Sequence, residues 1–421
     1  MPTFRCLAPA RSFTFPLPPT RKPARTSRAL ELRARGAALG ALALLLAALA
    51  ATAAGAATLA VAAGAVAVAN NGVCSLREAI HNANDDAQVD NTDCPAGSGA
   101  DTIQLAAAST YALPDADPVD ASNGLPTITS TIVLAGNGAT IERSGGLTCF
   151  LDGALQIGEF RLLRSSGDLT LEHLTLRNGC IDGDGGSGYG GALYAGGTLT
   201  LDGVVVDGNR SAEGSGGLAT VAGGLVSIVA STFSNNFANG AAGAIGNGEG
   251  VSMTITGSTI TGNSAGAGGA GGIGNFGTLT VFNSTVVGNT AQGAGGGIRN
   301  GSGTLELDAV TISSNKTIVA LGGGGLSNSG TLTVKNSIVA GNFEGGDCAS
   351  VAPGTFTALG QNLDEDGTCA ALDAAHFTRV TATQLALAPP SFSPGAGALA
   401  PLYGSVAVSY THLTLPTSDL V

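Results

Sequence analysis

The 421-residue sequence contains no tryptophan, and only 11% of its residues are charged and 4% aromatic. Between residues 214 and 298 the single ionisable side chain is Glu249. Acid–base catalysis needs titratable groups placed close together, so this long stretch offers almost no catalytic candidates. A tryptophan platform for stacking sugars is excluded. The four histidines are scattered and the cysteines are widely spaced along the chain, which argues against a zinc-type metal site.

The N-terminal segment at 1–56 differs in composition from the rest of the chain. Residues 1–35 carry eight Arg or Lys against one acid, Glu31, and residues 36–69 carry no charge. A basic flank, the apolar run 42–49 and the small residues Ala54, Gly55 and Ala56 are typical of a secretory signal peptide, with cleavage predicted near Ala56. An uncleaved membrane anchor is the alternative, because the uncharged run is long enough to span a bilayer. Loss of residues 1–35 changes the formal net charge from −12 to −19, because eight bases and one acid leave. So acidic a chain would repel nucleic acid.

The middle of the chain repeats at a nearly constant interval, and each repeat ends on an asparagine. The six are Asn209, Asn236, Asn263, Asn289, Asn315 and Asn342, and Gly179 holds the same position one repeat before the first. A regular interval of about 27 residues is typical of a solenoid, in which each turn stacks on the next. Asparagine tolerates the left-handed backbone of a corner, and its amide can bond to the equivalent amide one turn away. The six asparagines are therefore predicted to form a structural ladder.

Apolar columns run through the repeats at fixed distances before this asparagine. Ten and eight residues before it stand aliphatic side chains such as Leu279 and Val281, with a threonine between them. Alternation with a period of two predicts a strand with one buried face, so Leu279, Leu305 and Leu332 should lie in one interior row. A break of phase at residues such as Asn283 predicts a tight corner, followed by a second strand. A third short strand is predicted after a glycine cluster, which makes each repeat one turn of a three-sided coil.

Three further motifs accompany the repeats. Residues 74–80 read CSLREAI, residues 190–193 read GGAL, and residues 233–236 read FSNN. The heptapeptide resembles the signature that heads one secreted bacterial group of right-handed parallel β-helix proteins, and the two tetrapeptides are similar to the repeat pair of polymorphic outer-membrane autotransporters. The resemblance covers about residues 57–390. It implies an all-β, right-handed parallel β-helix of about ten coils, exported to the outer-membrane surface or the extracellular space.

A short helix is predicted at the start of this solenoid. Ser75 and Glu78 are spaced as a capping box, and apolar residues follow at helical spacing. These are Leu76, Ala79, Ile80 and Ala83. Such a helix would cover the open end of the core, where unpaired strand edges invite aggregation. Helix capping then explains Arg77 and Glu78 better than a catalytic pair does.

Six cysteines remain once the leader is removed. They are Cys74, Cys94, Cys149, Cys180, Cys348 and Cys369. Six cysteines in an exported chain predict disulfides, and pairing of sequence neighbours is the simplest of the 15 possible connectivities. The resemblance adds a closing segment near the C-terminal end, in which a loop from Cys348 to Cys369 is expected.

The chain is predicted to divide into five segments. These are a leader at 1–56, an N-terminal strand with a disulfide-stapled helical cap at 57–100, the β-helix at 101–345, a closing segment at 346–395 and an irregular tail at 396–421. Residues 408–421 look like translated adapter sequence and are left out of the fold prediction. A native C-terminus with an anchoring element is expected beyond them.

If the chain has a ligand groove, it is expected around the first regular coils, where polar and charged side chains gather. The residues proposed for it are Asp182, Asp184, Tyr194, Asp202 and Arg210. The interpretation that the sequence favours is that these are solvated turn residues. Calcium could bind in the acidic stretches 85–101 and 115–123, at Asp182 and Asp184, or at Asp364 and Asp366. None of these matches a full calcium loop, and ordinary turn usage explains them better. No other cofactor is expected.

The sequence as a whole predicts an exported structural or adhesive module without catalysis. The expected partner is a polysaccharide or protein at a cell surface or outside the cell, not nucleic acid. Membrane contact is expected only through the signal segment or a C-terminal anchor. The alternative is a carbohydrate-active enzyme with its site in the early coils, because pectate lyases share this fold, but fold alone does not determine function.

Overall fold

The computed structural model describes residues 55–89, 92–183, 188–221 and 223–385. Over these residues the chain is an all-β parallel solenoid of about ten turns. The predicted leader and the tail from residue 396 onward lie outside the described residues, so those two predictions stay predictions.

Each turn of the solenoid contributes one strand to each of several parallel sheets, which we number in the order the chain visits them. Sheet 1 contains Thr58–Ala60, Asp101–Gln104, Ile132–Ala135, Leu169–Glu172, Leu199–Asp202, Leu225–Val229, Ser252–Thr256, Thr278–Phe282, Thr304–Asp308, Thr331–Lys335 and Thr355–Leu359. Sheet 2 contains Thr110–Leu113, Thr140–Arg143, Thr175–Arg177, Val205–Asp207, Thr232–Ser234, Thr259–Thr261, Thr285–Val287, Thr311–Ser313, Ile338–Ala340, Asn362–Asp364 and Phe377–Arg379.

Two smaller sheets complete the coil. Sheet 3 contains Cys180–Ile181, Arg210–Ser211, Phe237–Ala238, Ser264–Ala265, Thr290–Ala291 and Lys316–Thr317. Sheet 4 contains Leu163–Ser165, Leu193–Ala195, Leu218–Thr220, Ile245–Asn247, Ile273–Asn275, Ile298–Asn300, Leu326–Asn328 and Cys348–Ser350. The three-sided coil predicted from the sequence therefore needs one correction, because a two-residue strand follows Gly179 and each corner asparagine from Asn209 to Asn315. A strand of two residues is too short to show a period in the sequence.

The interior of the rod is made of stacked aliphatic rows. Leu279 pairs in register with Leu305, and Leu305 with Leu332. All three side chains are at most 1% exposed, which confirms the predicted interior row. Burying one such side chain stabilises the fold by roughly 1.5–3 kcal/mol. A strand of three to five residues would not persist alone, so the stacking of turns provides the stability.

The corner between sheets 1 and 2 has left-handed backbone in successive turns. Gly203, Asn283 and Asn336 have φ of 62°, 49° and 49°, as the break of phase in the sequence predicts. Ala230 and Ala309 occupy the same corner with φ of 46° and 56°. Alanine has a steric cost in this conformation that glycine and asparagine largely avoid.

The six repeat asparagines form one ladder at the corner between sheets 2 and 3, in which the first five are buried and Asn342 is half-buried. The backbone N–H and an Nδ2–H of each of the first five donate to Oδ1 of the next, over 2.9–3.0 Å. At the first rung Oδ1 of Asn209 accepts from the N–H of Gly179, and at the last rung Asn342 donates to the carboxylate of Asp347. A second ladder lies at the end of the sheet 4 strands. Its amides are those of Asn247, Asn275, Asn300 and Asn328, linked over 2.8 Å.

The N-terminal end of the core is covered by helix α1, Leu76–Asp85. The capping box is present, since Oγ of Ser75 accepts from the N–H of Glu78 and the Glu78 carboxylate accepts from the N–H of Ser75. The buried Arg77 donates to the carbonyl of Gly124 and forms an ion pair with Asp115 at 2.8 Å. Arg77 and Glu78 therefore have structural partners. A second helix, α2, spans Ala382–Leu385.

Three disulfides connect the cysteines that are neighbours in sequence. They are Cys74–Cys94, Cys149–Cys180 and Cys348–Cys369. This is the simplest of the predicted connectivities, and it includes the expected C-terminal loop. The first disulfide joins the residue before the α1 cap to the loop after it, the second joins the early coils, and the third joins the last strand of sheet 4 to the closing segment.

Candidate functional site

The residues predicted to form a groove in the early coils lie on different faces of the solenoid. Asp202 is on sheet 1, Arg210 on sheet 3 and Tyr194 on sheet 4. Asp184 lies outside the described residues. The structure therefore does not gather the described members of this set into one groove. The physical reason is that one turn of chain passes every face of the coil, so residues close in sequence point in different directions.

Asp182 is completely buried. Its carboxylate accepts from the N–H of Gly153 at 2.9 Å and from the N–H of Gly183 at 2.7 Å. These contacts connect the loop at residue 153 to the strand that carries Cys180 of the second disulfide. Such an arrangement holds a loop in place and leaves the carboxylate little room to reach a ligand.

Tyr194 belongs instead to a cluster of aromatic and cationic side chains on sheet 4. Its ring is 6.1 Å from the ring of Tyr189, and the guanidinium carbons of Arg161 and Arg164 lie 5.1 and 5.7 Å from its centre. Arg161 is buried and donates to the carbonyl of Tyr189 at 2.8 Å. Burial, and after it the like charge of Arg164, lower the pKa of Arg161 to about 10. Arg164 lies in the preceding turn, directly opposite Tyr194 on the neighbouring strand. The cluster could therefore have been predicted from the sequence if the alignment of these two strands had been known.

A carboxylate cluster lies at the C-terminal end of the asparagine ladder. Asp347, Asp364 and Asp366 each place an oxygen within 4.8 Å of the others. Burial raises the pKa of Asp347 to about 6, and the negative charge of Asp366 raises it as well, against the lowering effect of hydrogen bonds from Asn342. Oxygen donors at these distances suit calcium, and the calcium prediction for Asp364 and Asp366 stays a prediction.

The same carboxylates also have protein donors. The Asp347 carboxylate accepts from Asn342 and from the N–H groups of Glu365 and Asp366. Asp364 accepts from two further backbone N–H groups, those of Gly367 and Ala370. Backbone N–H groups therefore join the closing segment to the ladder through this cluster.

The most regular exposed surface is the outer side of sheet 1. Two columns of mostly hydroxyl side chains run along it, and we call their residues the threonine face. The first column is Ser252, Thr278, Thr304, Thr331 and Thr355, and the second is Thr200, Ser227, Thr254, Thr280, Glu306, Thr333 and Thr357. Neighbouring strands lie ~4.8 Å apart and alternate residues of a strand ~6.6 Å apart, so the hydroxyls form a regular lattice. Hydroxyl groups donate and accept hydrogen bonds, and Glu306 is the one charged member of the two columns.

Comparison with known proteins leaves the chain without a match to a family model, to a curated protein or to a solved structure. The resemblance to the secreted β-helix group and to the autotransporter repeats is therefore unsupported by any family match and stays a prediction. Among the described residues, neither helix has the length and apolarity needed to cross a bilayer.

Proposed function

We propose that this protein is an exported structural or adhesive module of a bacterial surface or extracellular protein, and that the threonine face is its contact surface. The observation that carries the proposal is the face itself, a regular and almost uncharged hydroxyl lattice on a parallel sheet. Stacked strands hold the hydroxyls in fixed positions, so little conformational entropy is lost when a partner binds. The partner is a polysaccharide or protein at a surface.

Export is supported by the disulfides. Three disulfides in one chain are typical of a non-reducing compartment, because cytosolic thiols are kept reduced. The N-terminal leader and the formal net charge of −12 fit the same destination. The module would lie at the outer-membrane surface or in the extracellular space.

Absence of catalysis is part of the proposal. Glycoside hydrolysis uses two carboxyl groups on opposite sides of the scissile bond. In the part of the chain that the structure describes, the grouped carboxylates Asp347, Asp364 and Asp366 accept hydrogen bonds from the backbone. That arrangement suits a structural role better than proton transfer to a substrate.

A second candidate function is pectate-lyase-like cleavage of a polysaccharide in the early coils. The observation that favours it is the pair Arg161 and Arg164 beside Tyr194. A lyase acting on uronates needs an Arg or Lys that can lose its proton and act as the base, and burial lowers the pKa of Arg161. Asp120 makes an ion contact with Arg164 at 3.7 Å. Calcium-assisted cleavage would need further carboxylates beside it.

The two functions are separated by one experiment on the purified exported chain. Pectin-type polymers are incubated with the protein, with and without calcium, and new unsaturated or reducing ends are measured. The proposal expects no cleavage, together with retention of the protein on cell-surface or polymer preparations. Cleavage that disappears in Arg161→Lys or Asp120→Asn, with the fold retained, would establish the enzyme instead.

A further inference from the structure

A shallow cavity of about 290 Å³ lies along the edge of the threonine face, where sheet 4 turns into sheet 1. It extends over three successive turns. Its wall on the sheet 1 side is formed by Ser252, Thr278 and Thr304, and its wall on the corner side includes Phe276 and Ser302. We call this cavity the corner groove.

Glycines in the corner make room for the aromatic side chain of the groove. The half-buried ring of Phe276 lies so close to the next turn that a Cβ on Gly301 would be 2.6 Å from it. Real Cβ atoms essentially never approach another atom this closely, so the missing side chain at Gly301 leaves space for the ring. The groove thus has an aromatic ring beside a row of hydroxyls.

The lining of the corner groove contains no ionisable side chain. The exposed Glu249 precedes it in sequence, and it is the single ionisable residue between positions 214 and 298. A strongly charged ligand would find no complementary charge in the lining. A ring face and fixed hydroxyls suit a ligand that has both apolar C–H surface and hydroxyl groups. A neutral sugar has this chemistry.

The direction of the groove adds a second match. The hydroxyl groups of Ser252, Thr278 and Thr304 recur every ~4.8 Å along the rod, at the spacing of stacked strands, and an extended chain of hexose units repeats over a comparable length. We propose that the corner groove binds a single strand of a neutral polysaccharide that runs along the rod axis, with successive sugar units over successive turns. This inference rests on the proposed function, for which it names the ligand class and its location.

The test measures binding of the purified exported chain to soluble neutral glucan and xylan by affinity electrophoresis and calorimetry, with polygalacturonate as the charged comparison. Binding to a neutral polymer should be insensitive to salt, because no ion pair forms. Phe276→Ala should weaken it about tenfold, which is the effect of losing about 1.4 kcal/mol. The double variant Thr278→Val, Thr304→Val should weaken it several-fold while it keeps side-chain shape and β-branching.

Two variants outside the groove serve as matched controls. Phe282→Ala removes an exposed aromatic ring from the far end of the strand that begins at Thr278, and Thr290→Val removes an exposed hydroxyl from sheet 3, outside the threonine face. Both should bind like the parent chain. Circular dichroism and melting temperature show whether each variant is folded.

Three results would overturn the inference. They are no binding to either neutral polymer, salt-sensitive binding to polygalacturonate alone, and equal loss of binding in Phe276→Ala and Phe282→Ala. If the groove variants still attach to cell-surface preparations as the parent chain does, the groove is not the binding site, but the proposed adhesive function is retained. If the protein cleaves a polymer, the proposed adhesive function is refuted, wherever that polymer binds.

Discussion

Replacing Asn263 with alanine removes one rung from the middle of the asparagine ladder. Oδ1 of Asn263 accepts both the backbone N–H and the Nδ2–H of Asn236, each over 2.9 Å, and its own amide donates to the carbonyl of Phe233 and to Asn289. The substitution leaves two buried donors of Asn236 without an acceptor. Each such donor costs roughly 1–3 kcal/mol, and the space left by the amide adds to the loss. We expect the free energy of unfolding to fall by about 4 kcal/mol.

Urea unfolding followed by far-ultraviolet circular dichroism measures this change. Asn239→Ala is the matched control, because Asn239 lies in the preceding turn with its side chain exposed, and surface substitutions usually change stability by at most about 0.5 kcal/mol. A loss at Asn263 below about 1 kcal/mol, or one no larger than that at Asn239, would refute the reasoning that the ladder stabilises the corner. A solenoid can also unfold in parts, so the transition should be checked with a second probe.

Three further predictions concern the ends and the core of the rod. The pKa of Asp347 is raised to about 6 from an unperturbed 3.8, so the folded chain binds this proton more tightly than the unfolded chain does. Protonation of Asp347 therefore stabilises the fold fully below pH 3.8, and this stabilisation is lost as the pH rises through 6. The size is about 3 kcal/mol, and pH-dependent urea unfolding should show it in the parent chain and a flatter profile in Asp347→Asn; equal profiles would contradict it. Leu305→Ala should lower the free energy of unfolding by roughly 2–5 kcal/mol, because it leaves a cavity in the core. The control Thr304→Ala, at an exposed position, should lower it by at most about 0.5 kcal/mol. Equal losses in the two variants would argue against the interior row. Replacing both Cys149 and Cys180 with serine should cost about 2–4 kcal/mol and remove much of the effect of reductant on the melting temperature, whereas an unchanged melting temperature would show that this disulfide contributes nothing.

The solenoid was predictable because its stabilising residues recur in register. The row Leu279, Leu305 and Leu332 follows from a period of two within a repeat of nearly constant length, and the structure confirms it. Sheet 3 was not predictable, because strands such as Arg210–Ser211 are too short for any period. The left-handed Ala309 in a corner was also beyond sequence reasoning, since alanine gives no turn signal.

The candidate sites were less accessible to sequence reasoning, because each combines residues from different turns. Arg164 and Tyr194 are far apart in sequence, and they meet only because one full turn separates them. Phe276 gains its place in the corner groove from Gly301 of the following turn. Asp202 and Arg210, by contrast, are close in sequence and lie on different sheets. Register between turns, which varies with loop length, decides these contacts.

The asparagine ladder has a polarity, because the backbone N–H and one Nδ2–H of each rung donate to the group on its C-terminal side, while the amide also donates to a carbonyl of the preceding turn. Its final acceptor is the carboxylate of Asp347, a group that when ionised has no proton to pass on. The first and last asparagines of the ladder therefore have hydrogen-bond partners outside it, Gly179 and Asp347, whatever the number of rungs between them. Gain or loss of one complete repeat would change the length of the rod by ~4.8 Å and would leave both of these end contacts in place. Duplication of repeats alone can therefore adjust how far such a protein extends.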